Sequence, residues 1–184
     1  MKTGLVLVDI QNDYFKGGKY ELFEPEKAVL NAKKILDFFR NNKMPIFYVK
    51  HINTNEKSTF FIQGTDGTNI YKDVCPEEGE KIIIKHTPDS FFQTNLQNEL
   101  KSEKITELVV CGMMTHMCID TTVRAARNFG YNVTLIEDAC ACRDLIWNEE
   151  KISALIVQKT FMASLNGTFA DIKIADKWIE ENSK

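Results

Sequence analysis

The sequence predicts a single α/β domain, a three-layer α/β/α structure in which helices cover both faces of a parallel six-stranded sheet. Short runs of β-favouring apolar residues alternate along the chain with longer segments that carry apolar residues at helical spacing. This alternation is typical of parallel strands joined by crossover helices. The 184 residues suit one domain with a sizeable core, and no repeat or linker divides them. The predicted domain therefore spans residues 1–184.

Six apolar segments are predicted to form the strands, because continuous apolar residues suit strands covered on both faces. They are residues 5–8, 46–49, 82–84, 108–111, 133–136 and 169–174. Gly112 ends the fourth segment, and Glu137 with Asp138 ends the fifth.

Five segments are predicted to form helices. Pro25 is well placed to begin the first, which Asn41 and Asn42 end. The others are a short helix around residues 96–100, a helix over 119–129 that Gly130 stops, and helices over 147–157 and 177–182. Residues 51–73 are predicted to form a long loop with two open interpretations: a lid or binding loop, or a solvated surface loop whose two aromatic residues, Phe60 and Phe61, are tucked down.

Composition excludes several classes of protein. The net charge is −3 and no basic patch stands out, so we expect no nucleic-acid partner. The N-terminal apolar run is broken by Asp9, too soon for a signal peptide, and no segment has the length of a membrane span. Five cysteines, an odd number without paired spacing, indicate a reducing, cytoplasmic environment.

Three reactive residues follow predicted strands, where open parallel sheets bind their ligands. Asp9 follows the first strand, Lys85 the third, and Cys118 lies where the helix after the fourth strand begins. We expect the helix dipole to lower the pKa of the Cys118 thiol. Each residue alone also has an ordinary structural interpretation: Asp9 as a loop cap, Lys85 as a surface charge and Cys118 as a core residue. Together they indicate a base, a charge partner and a nucleophile, with backbone N–H groups of residues 112–118 as an oxyanion hole.

Longer motifs surround these residues. They are VDIQNDYF at 8–15, KHTPDSF at 85–91, CGMMTHMCID at 111–120, TVRAA at 122–126, EDACA at 137–141 and LNGTFA at 165–170. With these motifs the chain resembles the isochorismatase-like cysteine hydrolase superfamily, which includes nicotinamidases and N-carbamoylsarcosine amidohydrolase. The resemblance covers nearly the whole chain.

The resemblance implies roles for individual residues. Asp9 would be the general base, Lys85 its electrostatic partner and Cys118 the nucleophile. The Met113–Met114 bond would be cis, with the N–H groups of Met114 and Cys118 forming the oxyanion hole. Strand order 3-2-1-4-5-6 and a homo-oligomer, a dimer or a tetramer, are also implied.

Three further residues are candidates for binding a small-molecule substrate. Phe15 and Phe91 fall within matching motifs and could wall a pocket, and His116 lies two residues before Cys118. For His116, support of the helix start is an equally good interpretation.

The chain departs from metal-binding nicotinamidases, because it contains no Asp-x-His pair. We therefore expect no metal and no other cofactor. The single Cys140-x-Cys142 has no recognisable partners and does not change this expectation.

Three functions follow from these observations. The first is hydrolysis of a C–N bond in a small amide through a Cys118 thioester. The alternatives are isochorismatase-type hydrolysis of a vinyl ether, with Asp9 as the acid, and a non-catalytic or redox-sensing thiol protein.

Overall fold

A computed structural model describes residues 1–55 and 57–183. Glu56, within the predicted loop, and Lys184, at the end of the predicted domain, lie outside the described residues. The strands of the described chain are β1 (Thr3–Val8), β2 (Ile46–His51), β3 (Lys81–Lys85), β4 (Glu107–Met113), β5 (Asn132–Ala141), β6 (Leu145–Trp147), β7 (Glu150–Ile152) and β8 (Asp171–Lys173). Its α-helices are α1 (Pro25–Asn41), α2 (Leu96–Ser102), α3 (Asp120–Asn128), α4 (Ala154–Leu165) and α5 (Ala175–Asn182).

Six of the strands form one parallel sheet in the order β3-β2-β1-β4-β5-β8. The predicted fold class and the strand order implied by the resemblance are therefore confirmed. Among the described residues, no helix combines the length and the apolar character that a membrane span needs.

The two faces of the sheet carry separate hydrophobic cores, because successive side chains of a strand point to opposite faces. In β1, Leu5 and Leu7 belong to the core that α1 and α5 cover. Val6 and Val8 belong to the core that α2, α3 and α4 cover. β1 and β4 are buried on both faces and are apolar at nearly every position, as predicted.

β3 lies at the edge of the sheet with Ile82 and Ile84 exposed, so the prediction that it is covered on both faces is wrong. β5 continues past Glu137 and Asp138 to Ala141, so the predicted end of the fifth strand is also wrong.

The region after β5 differs from the prediction. Residues 147–157 were expected to form a helix, but 145–152 form an antiparallel hairpin of β6 and β7, and α4 begins only at Ala154. Asn148 and Glu149, the two residues of the turn, both have positive φ, as a type I′ hairpin turn requires. Ser153 then caps α4 by accepting a hydrogen bond from the Ile156 N–H.

The predicted loop after β2 is packed against the segment that follows β1. Phe61 is completely buried, and its N–H donates to Asp13 Oδ2 at 2.6 Å. The Tyr71 N–H donates to the Ile10 carbonyl at 2.8 Å. Phe60 and Phe61 therefore pack inward beside the carboxyl end of β1, while residues 62–66 are exposed, which agrees with a surface loop whose two aromatic residues are tucked down. The role of this loop as a lid or binding loop stays a prediction.

Candidate active site

The three predicted catalytic residues lie together at the carboxyl edge of the sheet. Asp9 directly follows β1, Lys85 is the last residue of β3, and Cys118 lies in the turn after β4. Lys85 Nζ is 2.7 Å from Asp9 Oδ2 and 3.1 Å from Cys118 Sγ. All three side chains are buried. Parallel strands end at the same edge, so residues far apart in sequence meet here.

Asp9, the residue after β1, has a left-handed backbone conformation, with φ at +51°. A short polar side chain tolerates this conformation better than most residues do. The carboxylate is fully buried, and no described residue donates a well-aligned hydrogen bond to either of its oxygens. Its partner is the charge of Lys85. The carboxylate therefore keeps free lone pairs, which a proton acceptor needs.

Gly112 lets β4 approach β1 beside this carboxylate. Its φ is +134°, and a Cβ at this position would lie 2.0 Å from the Val8 carbonyl oxygen. Only glycine fits such an approach without moving one of the two strands. Val8 and Gly112 are paired in the sheet register, one residue before Asp9.

Cys118 lies in a π-helical turn, Thr115–Ile119, and α3 begins two residues later. Cys118 therefore lies where the helical segment begins, as predicted, in a π-helical turn that continues directly into α3, but the predicted lowering of its pKa is wrong. Burial and the Asp9 carboxylate raise the pKa of the Cys118 thiol, against the opposing effect of Lys85. The resting residue is a thiol, so its reaction requires a base.

His51 is a site residue that the sequence reasoning missed. It ends β2, directly opposite Lys85 in the sheet register, and its Nδ1 lies 2.9 Å from Lys85 Nζ. Burial and Lys85 lower the pKa of His51, against the effect of Asp9, so the ring is neutral at neutral pH. The same search of strand ends that selected Asp9 and Lys85 would have found it.

Possible metal ligands also converge here. Ligand atoms of Asp9, His51 and Cys118 lie within 4.8 Å of one another. However, the Lys85 ammonium contacts all three groups and already supplies a positive charge at this point. Burial lowers the pKa of Lys85, but Asp9 and Cys118 outweigh this effect and raise it above its ordinary value. A divalent ion at the same point would face a charged ammonium, so this group does not fit a metal.

The peptide bond between Met113 and Met114 is cis, as the resemblance implies. Met114 is buried and immediately precedes the π-helical turn that carries Cys118. The roles of the Met114 and Cys118 N–H groups as an oxyanion hole stay predictions.

The three predicted substrate-binding residues have different surroundings. Phe15 stacks on Tyr71, with ring centroids 3.6 Å apart, and lines a cavity of about 390 Å³. Phe91 packs against Phe129, with ring centroids 5.1 Å apart. His116 is partly buried, and its Nδ1 has no hydrogen-bond partner among the described residues. Their roles in binding stay predictions.

Comparison with known proteins shows the family to which this chain belongs. The family model of the isochorismatase domain matches residues 3–163. The isochorismatase family protein YddQ of Bacillus subtilis is 47% identical over 180 residues, covering 98% of this chain and 100% of its own. A solved structure from Oleispira antarctica, assigned as an isochorismatase hydrolase, is 39% identical with a TM-score of 0.94, covering 97% of this chain and 96% of its own.

An amidase is also among the similar structures. The structure of N-carbamoylsarcosine amidase from Thermoplasma acidophilum is 26% identical with a TM-score of 0.81, and the match covers 96% of this chain and 98% of the amidase. The extent of the family match and the identity to YddQ together lead to one conclusion. This chain belongs to the isochorismatase family of hydrolases.

Proposed function

We propose that the protein is a metal-independent cysteine hydrolase that cleaves a C–N bond in a small amide. The observation that carries this proposal is the position of Lys85, whose ammonium contacts both the Asp9 carboxylate at 2.7 Å and the Cys118 sulfur at 3.1 Å. The proposed nucleophile and the proposed base are therefore both in contact with the same positive charge. The similarity to an amidase supports amide chemistry over other hydrolyses.

In the first half of the reaction, Asp9 takes the proton of the Cys118 thiol as the sulfur attacks the carbonyl carbon. A C–S bond forms, and the carbonyl π electrons move to the oxygen. The N–H groups of Met114 and Cys118 hold this oxyanion. The C–N bond then breaks, the leaving nitrogen takes the proton from Asp9, and ammonia or an amine departs from a thioester.

In the second half, Asp9 removes a proton from water, which attacks the thioester carbonyl. The C–S bond breaks, the acid product leaves, and the sulfur regains a proton from Asp9. Lys85 stays positive through both halves of the reaction. It stabilises the negative charge wherever that charge is present, on Asp9, on the sulfur or on the oxyanion.

A panel of small primary and secondary amides tests the proposal, with release of ammonia or amine as the readout. We expect the wild-type protein to hydrolyse at least one member and Cys118→Ala to be inactive while keeping its circular dichroism spectrum. Cys75 is an exposed cysteine, so Cys75→Ala is the matched control and should retain full activity. Undiminished hydrolysis by Cys118→Ala would overturn the covalent mechanism.

Mass spectrometry separates the amide route from its two alternatives. A quenched reaction should contain a peptide with an acyl group on Cys118. Turnover of a vinyl ether without such an adduct would favour the ether route instead. A protein that turns over neither class, and whose Cys118 is reversibly oxidised, would be a redox-sensing member.

A further inference from the structure

The Lys85 ammonium lies near four acceptors but has only three protons. His51 Nδ1 lies 2.9 Å from Nζ, the Thr87 carbonyl oxygen 3.0 Å, and the Cys118 sulfur 3.1 Å, all with hydrogen-bond geometry. Asp9 Oδ2 is closer, at 2.7 Å, but does not lie in a hydrogen-bond direction. The three directed bonds of the ammonium therefore go to the ring, the carbonyl and the sulfur.

The tautomer of His51 follows from both of its ring nitrogens. Nδ1 faces an ammonium, which can only donate, so Nδ1 carries a lone pair. Nε2 lies 3.1 Å from Asn53 Oδ1, and the amide NH₂ of Asn53 donates to the Phe60 carbonyl at 2.8 Å. The oxygen of Asn53 must therefore face the ring, and Nε2 must carry the proton. Both contacts require the same neutral form.

The backbone of His51 is held as firmly as its ring. The side chain of the fully buried Gln11 accepts from the His51 N–H at 2.7 Å and donates to its carbonyl at 2.9 Å. The ionisable groups that face the ring are Asp9 from the segment after β1, Lys85 from β3 and, more weakly, His86. An imidazole held this way is a fixed acceptor rather than a mobile acid or base.

We propose that His51 is a positioning residue: as a neutral acceptor it fixes, with the Thr87 carbonyl, two N–H directions of Lys85, so that the third N–H faces the sulfur of Cys118. Without His51, the ammonium is free to rotate about its Cε–Nζ bond and to direct its N–H groups at the Asp9 carboxylate, 2.7 Å away, so the bond to the sulfur is no longer enforced. The inference rests on the proposed role of Cys118 as a nucleophile. It adds a residue that acts through Lys85 and does not touch the reacting atoms.

The test compares two variants of the full-length protein in which side chains of similar shape replace His51. His51→Asn places an amide oxygen near the position of Nδ1 and keeps an acceptor for Lys85, whereas His51→Leu removes it. The readout is the rate at which iodoacetamide alkylates Cys118 across a pH series, followed on its own peptide by mass spectrometry. Near neutral pH we expect His51→Leu to react on the order of tenfold more slowly, the equivalent of one pKa unit, and His51→Asn to stay close to wild type.

The outcomes distinguish this inference from the proposed function. If His51→Leu reacts as wild type does, or if both variants slow equally, the positioning role is overturned. Lys85→Met is the reference: if it too leaves Cys118 reactivity unchanged, the proposed function fails as well. Because alkylation requires no substrate, an incorrect choice of amide does not affect the result.

Nitrogen-15 NMR of the unmodified protein tests the same inference without a substitution. We expect the His51 ring to be the neutral Nε2–H tautomer from about pH 6 to 8. A ring that carries its proton on Nδ1, or that is cationic in this range, contradicts the proposal.

Discussion

Lys85 Nζ lies 2.7 Å from Asp9 Oδ2, and both side chains are completely buried. Two such charges attract strongly where water is excluded, but each loses its hydration. Neither is stable in this position without the other. The pair therefore couples the stability of the fold to the chemistry of the site.

Removal of both partners should cost less stability than the sum of the two single removals. We expect Lys85→Met to lower the free energy of unfolding by about 3–5 kcal/mol, because it leaves the Asp9 carboxylate buried without a counter-charge. The double variant Asp9→Asn/Lys85→Met should lose less than the sum of the two single variants. Urea unfolding of the four proteins measures this cycle. Additive losses would show that the two charges do not interact.

Gly112 should tolerate no side chain. A Cβ would lie 2.0 Å from the Val8 carbonyl oxygen, so Gly112→Ala must separate β1 from β4 next to Asp9. We expect a loss of at least about 3 kcal/mol in the free energy of unfolding, together with a loss of activity. Gly130→Ala is the matched control, since Gly130 also has positive φ but faces open space, and it should cost only about 1–2 kcal/mol. Equal costs at the two positions would contradict the close approach of the strands.

Stability should fall as the pH drops below about 6.5, the ordinary pKa of histidine. Burial lowers the pKa of both His51 and His116 in the folded protein. Between the lowered and the ordinary pKa, the unfolded chain binds protons that the native protein does not bind, so the free energy of unfolding rises with pH. Each histidine can contribute up to about 1.4 kcal/mol per pH unit.

Urea unfolding between about pH 5 and 7.5 measures this dependence. His51→Asn removes one of the two groups, and we expect its stability to change less steeply with pH than that of wild type. An identical slope in the two proteins would show that His51 is not buried as a neutral ring.

We propose that the protein is a homo-oligomer and that the β6–β7 hairpin takes part in its assembly. Ile146 is 77% exposed and Trp147 is 71% exposed, an unusual concentration of large apolar side chains in a monomer. Light scattering should give the mass of two or four chains, and Ile146→Ser/Trp147→Ser should lower it. The exposed Ile174, which precedes α5, supplies the control Ile174→Ser. A monomeric wild-type protein, or a double variant of unchanged mass, contradicts this role of the hairpin.

The sequence by itself determined the fold class, the approximate position of each strand of the main sheet, and the three residues Asp9, Lys85 and Cys118, but it did not show that β5 continues to Ala141. A strand buried on both faces must be apolar throughout, and parallel strands bring their carboxyl ends to one edge. These rules act locally or through topology, so they can be read from a single chain. These rules did not predict the β6–β7 hairpin, because residues 147–157 contain apolar positions compatible with a helix and no glycine marks the turn.

Only the tertiary structure decided the charge state of the site. Burial and the neighbouring carboxylate outweigh the expected effect of the helix dipole on Cys118, because desolvation depends on what surrounds the sulfur in space. The contact of His51 with Lys85 likewise exists only once β2 and β3 are in register. Asp9, Lys85 and Cys118 could thus be identified from the sequence, whereas His51, the protonation of the site and its hydrogen bonds were found only from the distances between the residues.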